Sequence, residues 1–317
     1  LEHLTSGKPL PKGQLIFTED TTTGEKQHRM VYNIANNPRY NIELDDFKFT
    51  KQDCILPGEP LPLDVSRGCI FACRFCQYAH LGKGKLDYIR GMEYLEQEML
   101  ENYNNFGTTT YYVTDDTFNA DVDFMKDFTD IVKSLPFKLK YTAFLRADLI
   151  HGNPETEDMF LENGLYSCQF GIETFHPADS KMIGKAWSGK HGKSYIPYLY
   201  NDKWKKSIHM TIGMIAGLPN ETLDDLRLIN DWFIENNIPS WLWHVLHIAR
   251  DENYYKSEFD LNAEQYGFQF KVVEGEPIWY TDNCDWFKAL EWKEELQNEV
   301  KHHVTPIWTQ LLEWSSY

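Results

Sequence analysis

The chain has 317 residues, 42% of them hydrophobic and 25% charged, with a formal net charge of −17. That length suits one large barrel-like domain with appendages or two smaller domains; no apolar run reaches membrane-spanning length, and the start carries no secretory signal. The acidic balance argues against broad electrostatic capture of nucleic acid, which needs a local excess of Lys and Arg, and six cysteines, three in one short segment, do not make a secreted disulfide scaffold.

The middle of the chain alternates strand-like apolar runs with amphipathic helical runs, the pattern of consecutive parallel βα units. Residues 61–65 read as the first strand and lead directly into the cysteine segment. Ile89, Met92, Leu95, Met99 and Phe106 follow at near-helical spacing, ahead of a second strand at 110–114. A second stripe, Val122, Met125, Phe128, Val132 and Leu135, precedes the third strand at 141–145. Residues 167–172 and 209–215 read as the fourth and fifth strands. Asn220 is placed to cap a helix through Leu223, Leu226, Ile229 and Phe233, and residues 241–247 form the sixth strand. The pattern predicts an α/β fold: a partial TIM-like (β/α)6 barrel over residues 61–250, with an N-terminal extension (1–60) and an aromatic-rich C-terminal extension (251–317).

Cys69-x3-Cys73-x2-Cys76 lies inside Ser66-Arg67-Gly68-Cys69-Ile70-Phe71-Ala72-Cys73-Arg74-Phe75-Cys76. A cubane [4Fe–4S] cluster takes one thiolate per iron, so a protein supplying three leaves one iron open to another ligand. The tight spacing lets one loop wrap three corners of a small cube, with Gly68 and Ala72 easing the crowding. A structural zinc ion with His80 as fourth ligand is the rival reading. Zinc sites, however, favour two separated ligand pairs, and no second pair follows at finger-like distance. Spacings this short also seldom make disulfide frameworks.

With an aromatic residue just before the third cysteine, Cys69-x3-Cys73-x-Phe75-Cys76 resembles the signature of the radical S-adenosylmethionine (SAM) superfamily. The resemblance implies a [4Fe–4S] cluster on Cys69, Cys73 and Cys76, its open iron chelated by the amino and carboxylate groups of SAM. An electron from the cluster then breaks the sulfonium C–S bond, yielding methionine and a 5′-deoxyadenosyl radical that abstracts hydrogen from substrate. The protein holds the cofactor and shields the radical. The resemblance further implies an electron donor such as flavodoxin or ferredoxin, and it puts Phe75 near the adenine.

In parallel barrels the functional groups gather at the C-terminal ends of the strands. The second strand ends in Thr114-Asp115-Asp116, where the resembled family positions the amino group of SAM; a solvated turn or helix cap is the plainer reading. The third ends at Arg146, able to hold the methionine carboxylate through a charge-assisted fork or to pair internally with Asp148 or Glu173. The fourth ends in Gly171-Ile172-Glu173, with Gly184-Lys185 beyond. This resembles the segment whose acidic residue binds the ribose hydroxyls or amino group of SAM, which makes Glu173 the foremost candidate outside the cysteines. The fifth carries Gly213-x-Ile215-x-Gly217-Leu218-Pro219, similar to the family's adenine-binding strand, whose glycines would let backbone approach the base. An ordinary strand-to-helix turn fits Gly217-Leu218-Pro219 equally. The family form has Glu where this chain has Asn220, so Glu221 has no assigned role.

Within the superfamily, residues 66–69, 114–118, 170–173 and 217–222 are similar in wording to the branch containing cobalamin-dependent methyltransferases and methylthiotransferases. Residues 1–60 lack the Asp-x-His-x-x-Gly cobalt-ligand motif and offer only Cys54 towards a second cluster. Cobalamin is therefore a cofactor only through a module outside this chain, and methylthiolation is disfavoured. His244 and His247 fall on opposite faces by the period of two, so at most one should look into the barrel. Cys168 and Tyr78 could return a hydrogen atom to a substrate radical if they reach the cavity, although a lone buried cysteine is usually a small hydrophobe. Trp279, Trp286, Trp292, Trp308 and Trp314 suit a partly apolar substrate or, more simply, a core. Cys284 and His302-His303 lack the company a metal site needs. The expectation is a cytoplasmic radical SAM enzyme acting on a small molecule or peptide, a nucleotide or a natural product; a noncatalytic metal-binding protein is the alternative from another class.

Overall fold

The computed structural model describes the backbone of residues 14–19 and 26–31, and residues 48–66, 69–76, 89–185, 187–248 and 256–303. An antiparallel hairpin, β1 (Gln14–Glu19) and β2 (Lys26–Val31), comes first. Six strands then form the central sheet: β3 (Leu61–Leu63), β4 (Thr110–Val113), β5 (Lys140–Leu145), β6 (Leu165–Glu173), β7 (His209–Ala216) and β8 (Ser240–Val245). They pair in parallel in simple chain order. Within this sheet β3 and β8 have one neighbour each, so the barrel is open between them. All six expected strands are present with their ends moved by a residue or two.

The crossovers supply α1 (Met92–Phe106), α2 (Val122–Ser134), α3 (Ala147–Gly152), α4 (Glu155–Glu162), α5 (Pro177–Met182), α6 (Lys193–Pro197) and α7 (Leu223–Glu235). Alternation along the strands sorts side chains between two faces. Tyr111, Tyr141, Phe170, Met210 and Trp241 are buried beneath the helices. Met99 of α1, Phe128 of α2 and Phe233 of α7 are buried with them, each such side chain contributing roughly 1.5–3 kcal/mol of burial. Cys168 lies on this helix-facing side, fully buried, and burial pushes its thiol pKa upwards. It therefore does not reach the interior, and the conditional hydrogen-donor role fails for it. Tyr78, like His80, Arg67 and Gly68, lies outside the described residues.

Two helix starts differ from the sequence reading. Ile89 precedes α1 and bridges to Ser66 instead of belonging to the helical stripe. Thr222, not Asn220, caps α7, because its hydroxyl accepts from Asp225 N–H (3.4 Å) while the Asp225 carboxylate accepts from Thr222 N–H (2.9 Å). That reciprocal capping box satisfies two helix-end donors, and Asn220 is left to donate to Asp179 at 2.7 Å.

Beyond the barrel, α8 (Glu258–Asn262), the hairpin β9 (Gln269–Val273) and β10 (Glu276–Tyr280), and α9 (Trp286–Glu299) follow. Helix α9 packs on β8 and α7. Trp279 and Trp292 are core residues, while Trp308 and Trp314 lie outside the described residues. His303 stacks on Trp241 at 5.0 Å between ring centres. Among the described residues, no helix is long and apolar enough to cross a membrane.

Candidate active site

The cysteine segment leaves β3 and is pinned from two sides. Cys73 is buried, Cys69 and Cys76 are half-buried, and none of the three is in a disulfide. A turn closes through Cys76 N–H to the Cys73 carbonyl (3.0 Å). The C-terminal carbonyls of α5 need donors, and Arg74 supplies them: its amide to Ile183 (3.1 Å) and its guanidinium to Met182 (2.6 Å) and Lys181 (3.1 Å). From the other side, Phe259 N–H of α8 donates to the Arg74 carbonyl (2.9 Å). Gly184, at φ 83°, ends α5 in the left-handed conformation that favours glycine and lies against the Cys73 backbone.

On the β4–β5 flank, polar groups turn inward. The buried Asp115 carboxylate accepts from the Ser66 hydroxyl and from Val65 N–H (3.2 Å), and so fixes the start of the cysteine loop. Desolvation pushes its pKa up to about 7, against those hydrogen bonds. Asp116 is half-buried beside it. Thr117 Oγ1 lies 3.5 Å from Cys69 Sγ. Arg146 is locked into the chain by a reciprocal pair with Asn119, each bond 2.9 Å. Its guanidinium forms a two-pronged fork with Asp148 (2.7 and 3.0 Å), points Nη1 at Cys73 Sγ (3.6 Å) and lies over the Phe71 ring at 3.8 Å. Of the partners open to it from sequence, Asp148 takes the fork.

On the β6–β7 flank, polar groups face a cavity of about 460 Å³ lined by Phe75, Gln169, Gly171, Glu173, Gly213, Ile215 and residues 244–247. Glu173 sits where β6 breaks register with β7, at φ 70°, a conformation non-glycine residues seldom adopt. Lys185 donates to Glu173 Oε1 (2.8 Å) and to the Gly171 carbonyl (2.9 Å), and its ammonium also stands 5.7 Å from the centre of the Phe75 ring. The one hydrogen bond to the Glu173 carboxylate among the described residues is at Oε1, and the residue lines the cavity. Desolvation by the surrounding protein lowers the pKa of His244, with the charge of Glu173 opposing the shift and that of Lys293 adding to it.

Residues 63–233, more than half of the chain, match the sequence profile of the Radical SAM superfamily. The chain belongs to that superfamily. It is an enzyme of the radical SAM class, working with a [4Fe–4S] cluster and SAM. It is 30% identical over 184 residues to cytidylyl-2-hydroxyethylphosphonate methyltransferase from Streptomyces wedmorensis, a match covering 56% of this chain and 33% of that protein. The radical SAM methyltransferase TsrM from Kitasatospora setae, solved with cobalamin and a [4Fe–4S] cluster, superposes with a TM-score of 0.58 at 16% identity, over 78% of this chain and 55% of TsrM. The cobalamin-dependent SAM radical enzyme OxsB, solved with aqua-cobalamin and SAM, gives a TM-score of 0.50 at 18% identity, over 84% of this chain and 38% of OxsB. At these identities the two structures bear on the fold alone. The chain spans about one third of the curated relative's length and between 38% and 55% of the structural relatives' lengths.

The residues of this radical SAM chain fit the two groups the class requires. Three cysteines, none of them in a disulfide, stand on one braced loop. Beside it, the Gln169 amide oxygen is fully buried yet has no hydrogen-bond partner, as expected of a polar group awaiting a ligand. Among the described residues, no three His, Cys, Asp or Glu side chains converge closely enough to hold a single metal ion.

The structure brings Phe75, Glu173, Gly213 and Ile215 together at the cavity and puts Asp115, Asp116 and Arg146 elsewhere. Gly217 is also absent from the cavity wall. At φ 99°, it makes room for the Trp279 ring, since a Cβ there would come within 2.6 Å of Trp279 Cη2. His244 and His247 both line the cavity. The period-two argument fails because β8 ends at Val245, leaving His247 on irregular backbone. Lys185 was read in the sequence only as part of the Gly184-Lys185 segment, without a role, and Gln169 was passed over. The signal for Gln169 was a polar residue in a strand, four positions before Glu173 and on the same face.

Proposed function

We propose that Cys69, Cys73 and Cys76 hold the [4Fe–4S] cluster, that the adjoining cavity seats SAM, and that the enzyme abstracts hydrogen from an organic substrate. The observation that carries this is the braced loop of three cysteines outside any disulfide bordering, through Phe75, a glycine-walled cavity that also receives Glu173. When bound, the reduced cluster supplies the electron that splits SAM into methionine and a 5′-deoxyadenosyl radical. Arg146 sets a positive charge against the loop at Cys73, and its fork with Asp148 holds that charge in place. Glu173 Oε2 accepts a hydrogen bond from the cofactor, while Lys185 fixes the carboxylate's other oxygen. Phe75, Ile215 and Leu246 supply apolar wall that keeps water from the reacting centre.

Methyl transfer with cobalamin is a second reading, favoured by the methyltransferase relative and by the cobalamin named in both structural relatives. The reconstituted enzyme, given SAM with a deuterated methyl group, with and without cobalamin, separates the two. Tryptophan, the substrate named for TsrM, and cytidylyl-2-hydroxyethylphosphonate serve as first probes. Cobalamin-dependent labelled product supports methyl transfer; cobalamin-independent 5′-deoxyadenosine with substrate-derived hydrogen supports abstraction alone.

A further inference from the structure

Gly171 and Gly213 are register partners on β6 and β7, and both line the cavity. The space their missing side chains leave is shared by two polar heads. Glu173 leans back from the strand end, so that a Cβ on Gly171 would collide with its Oε1 and come within 3.0 Å of Lys185 Nζ. Gln169 reaches up from the floor, its Nε2 3.5 Å from where a Gly213 Cβ would stand. The Gln169 amide forms no hydrogen bond, and its oxygen is sealed from solvent. Leaving such a group unmatched is costly.

From this pair of heads we infer that Gln169 is a cofactor-binding residue and that, with Glu173, it grips the ribose diol of SAM. The inference rests on the reading that this cavity seats SAM. A vicinal diol presents two hydroxyls side by side, and the two heads occupy the space above two glycines that pair across β6 and β7. Glu173 can only accept, so it takes one hydroxyl as donor. The amide can turn to present either its oxygen or its nitrogen, and a hydroxyl, which both donates and accepts, satisfies either orientation. An ammonium or an amine would satisfy the oxygen alone.

The test measures equilibrium binding of SAM and of its 2′-deoxy and 3′-deoxy analogues to the anaerobically reconstituted protein. It compares wild type, Gln169→Leu, Gln169→Asn and Glu173→Gln, with iron content as the control for an intact site. Gln169→Leu is expected to weaken SAM binding about fivefold to tenfold, the loss of one neutral hydrogen bond. One deoxy analogue should bind Gln169→Leu no worse than SAM does, while still paying its penalty in Glu173→Gln, the signature of a broken pairwise contact. Gln169→Asn provides the same comparison if the leucine variant fails to fold. SAM affinity within twofold of wild type in a Gln169 variant, or identical deoxy penalties in wild type and variant, overturns the inference while leaving the site intact if Glu173→Gln still binds weakly. Unaltered binding in Glu173→Gln as well would mean that the site reading itself has failed.

Discussion

The two flanks of the cysteine loop both carry polar side chains and use them differently. On the β4–β5 flank, Asp115 holds Ser66 and Val65, and Arg146 is forked onto Asp148. Their hydrogen-bonding capacity is spent on the protein, and they shape the loop. On the β6–β7 flank, Glu173 is hydrogen-bonded at Oε1 alone among the described residues, Gln169 has no partner, and two facing glycines leave room above the strands. Valence left unfilled in a cavity, more than the presence of charge at a strand end, marks where a ligand is expected.

The contrast can be broken most severely at the loop both flanks share. A Cys69/Cys73/Cys76→Ala variant is expected to lose its cluster outright, with iron falling from about four per chain to background and 5′-deoxyadenosine formation abolished. Next in size is a comparison across the flanks. Glu173→Gln should weaken SAM binding roughly tenfold or more, since a hydrogen bond to a charged group is worth about 1.5–3 kcal/mol, with iron retained. Arg146→Gln should reverse that pattern: iron retention falls, while SAM affinity in the loaded fraction stays within about twofold. Equal losses of SAM affinity in the two variants would erase the distinction between flanks.

Away from the flanks, Trp279 fills the space beside Gly217 and donates to the Leu246 carbonyl at 3.0 Å. Trp279→Ala should cost about 3–5 kcal/mol in denaturant unfolding. Gly217→Ala should also destabilise, and by less in the Trp279→Ala background, where the clash with the indole is gone but the 3.1 Å approach to Ala289 Cβ and the strain at φ 99° persist. The smallest expected effect is one of pH. Glu221 is buried, with one oxygen accepting from Thr174 (2.7 Å) and the other unpartnered, and burial raises its pKa to about 8. The folded state thus holds this proton more tightly than the unfolded state. Its contribution to stability is greatest in acid and is lost as pH climbs from the ordinary carboxylate range to about 8, and Asp115 acts in the same direction up to about 7. Thermal melts of wild type should accordingly fall as pH rises from the ordinary carboxylate range to about 8 and level off above it, and Glu221→Gln should shrink the drop.

The sequence was most legible where chemistry depends on local spacing. The cysteine run, six strands and Glu173 at the end of β6 could all be placed from periodicity, motif and resemblance. It was least legible where side-chain reach decides. Arg146 had three plausible partners within range of its long stem, and only the fold selects Asp148. Gly213 and Gly217 belong to one motif, yet one opens a cavity and the other receives an indole from a hairpin more than sixty residues later. His244 and His247 were separated by a rule that holds only while the strand continues, and β8 stops between them. Gln169 escaped notice because one polar residue in a strand carries no motif; its meaning comes from the empty space opposite.

The account's central claim is that the cysteine loop and the β6–β7 cavity together make one SAM-cleaving site. Anaerobic reconstitution, followed by SAM and dithionite and mass spectrometry for 5′-deoxyadenosine, tests it most directly in wild type, Glu173→Gln and the triple cysteine variant. The account predicts product from wild type, less from Glu173→Gln at limiting SAM, and none from the triple variant. Product formed equally by all three would contradict it.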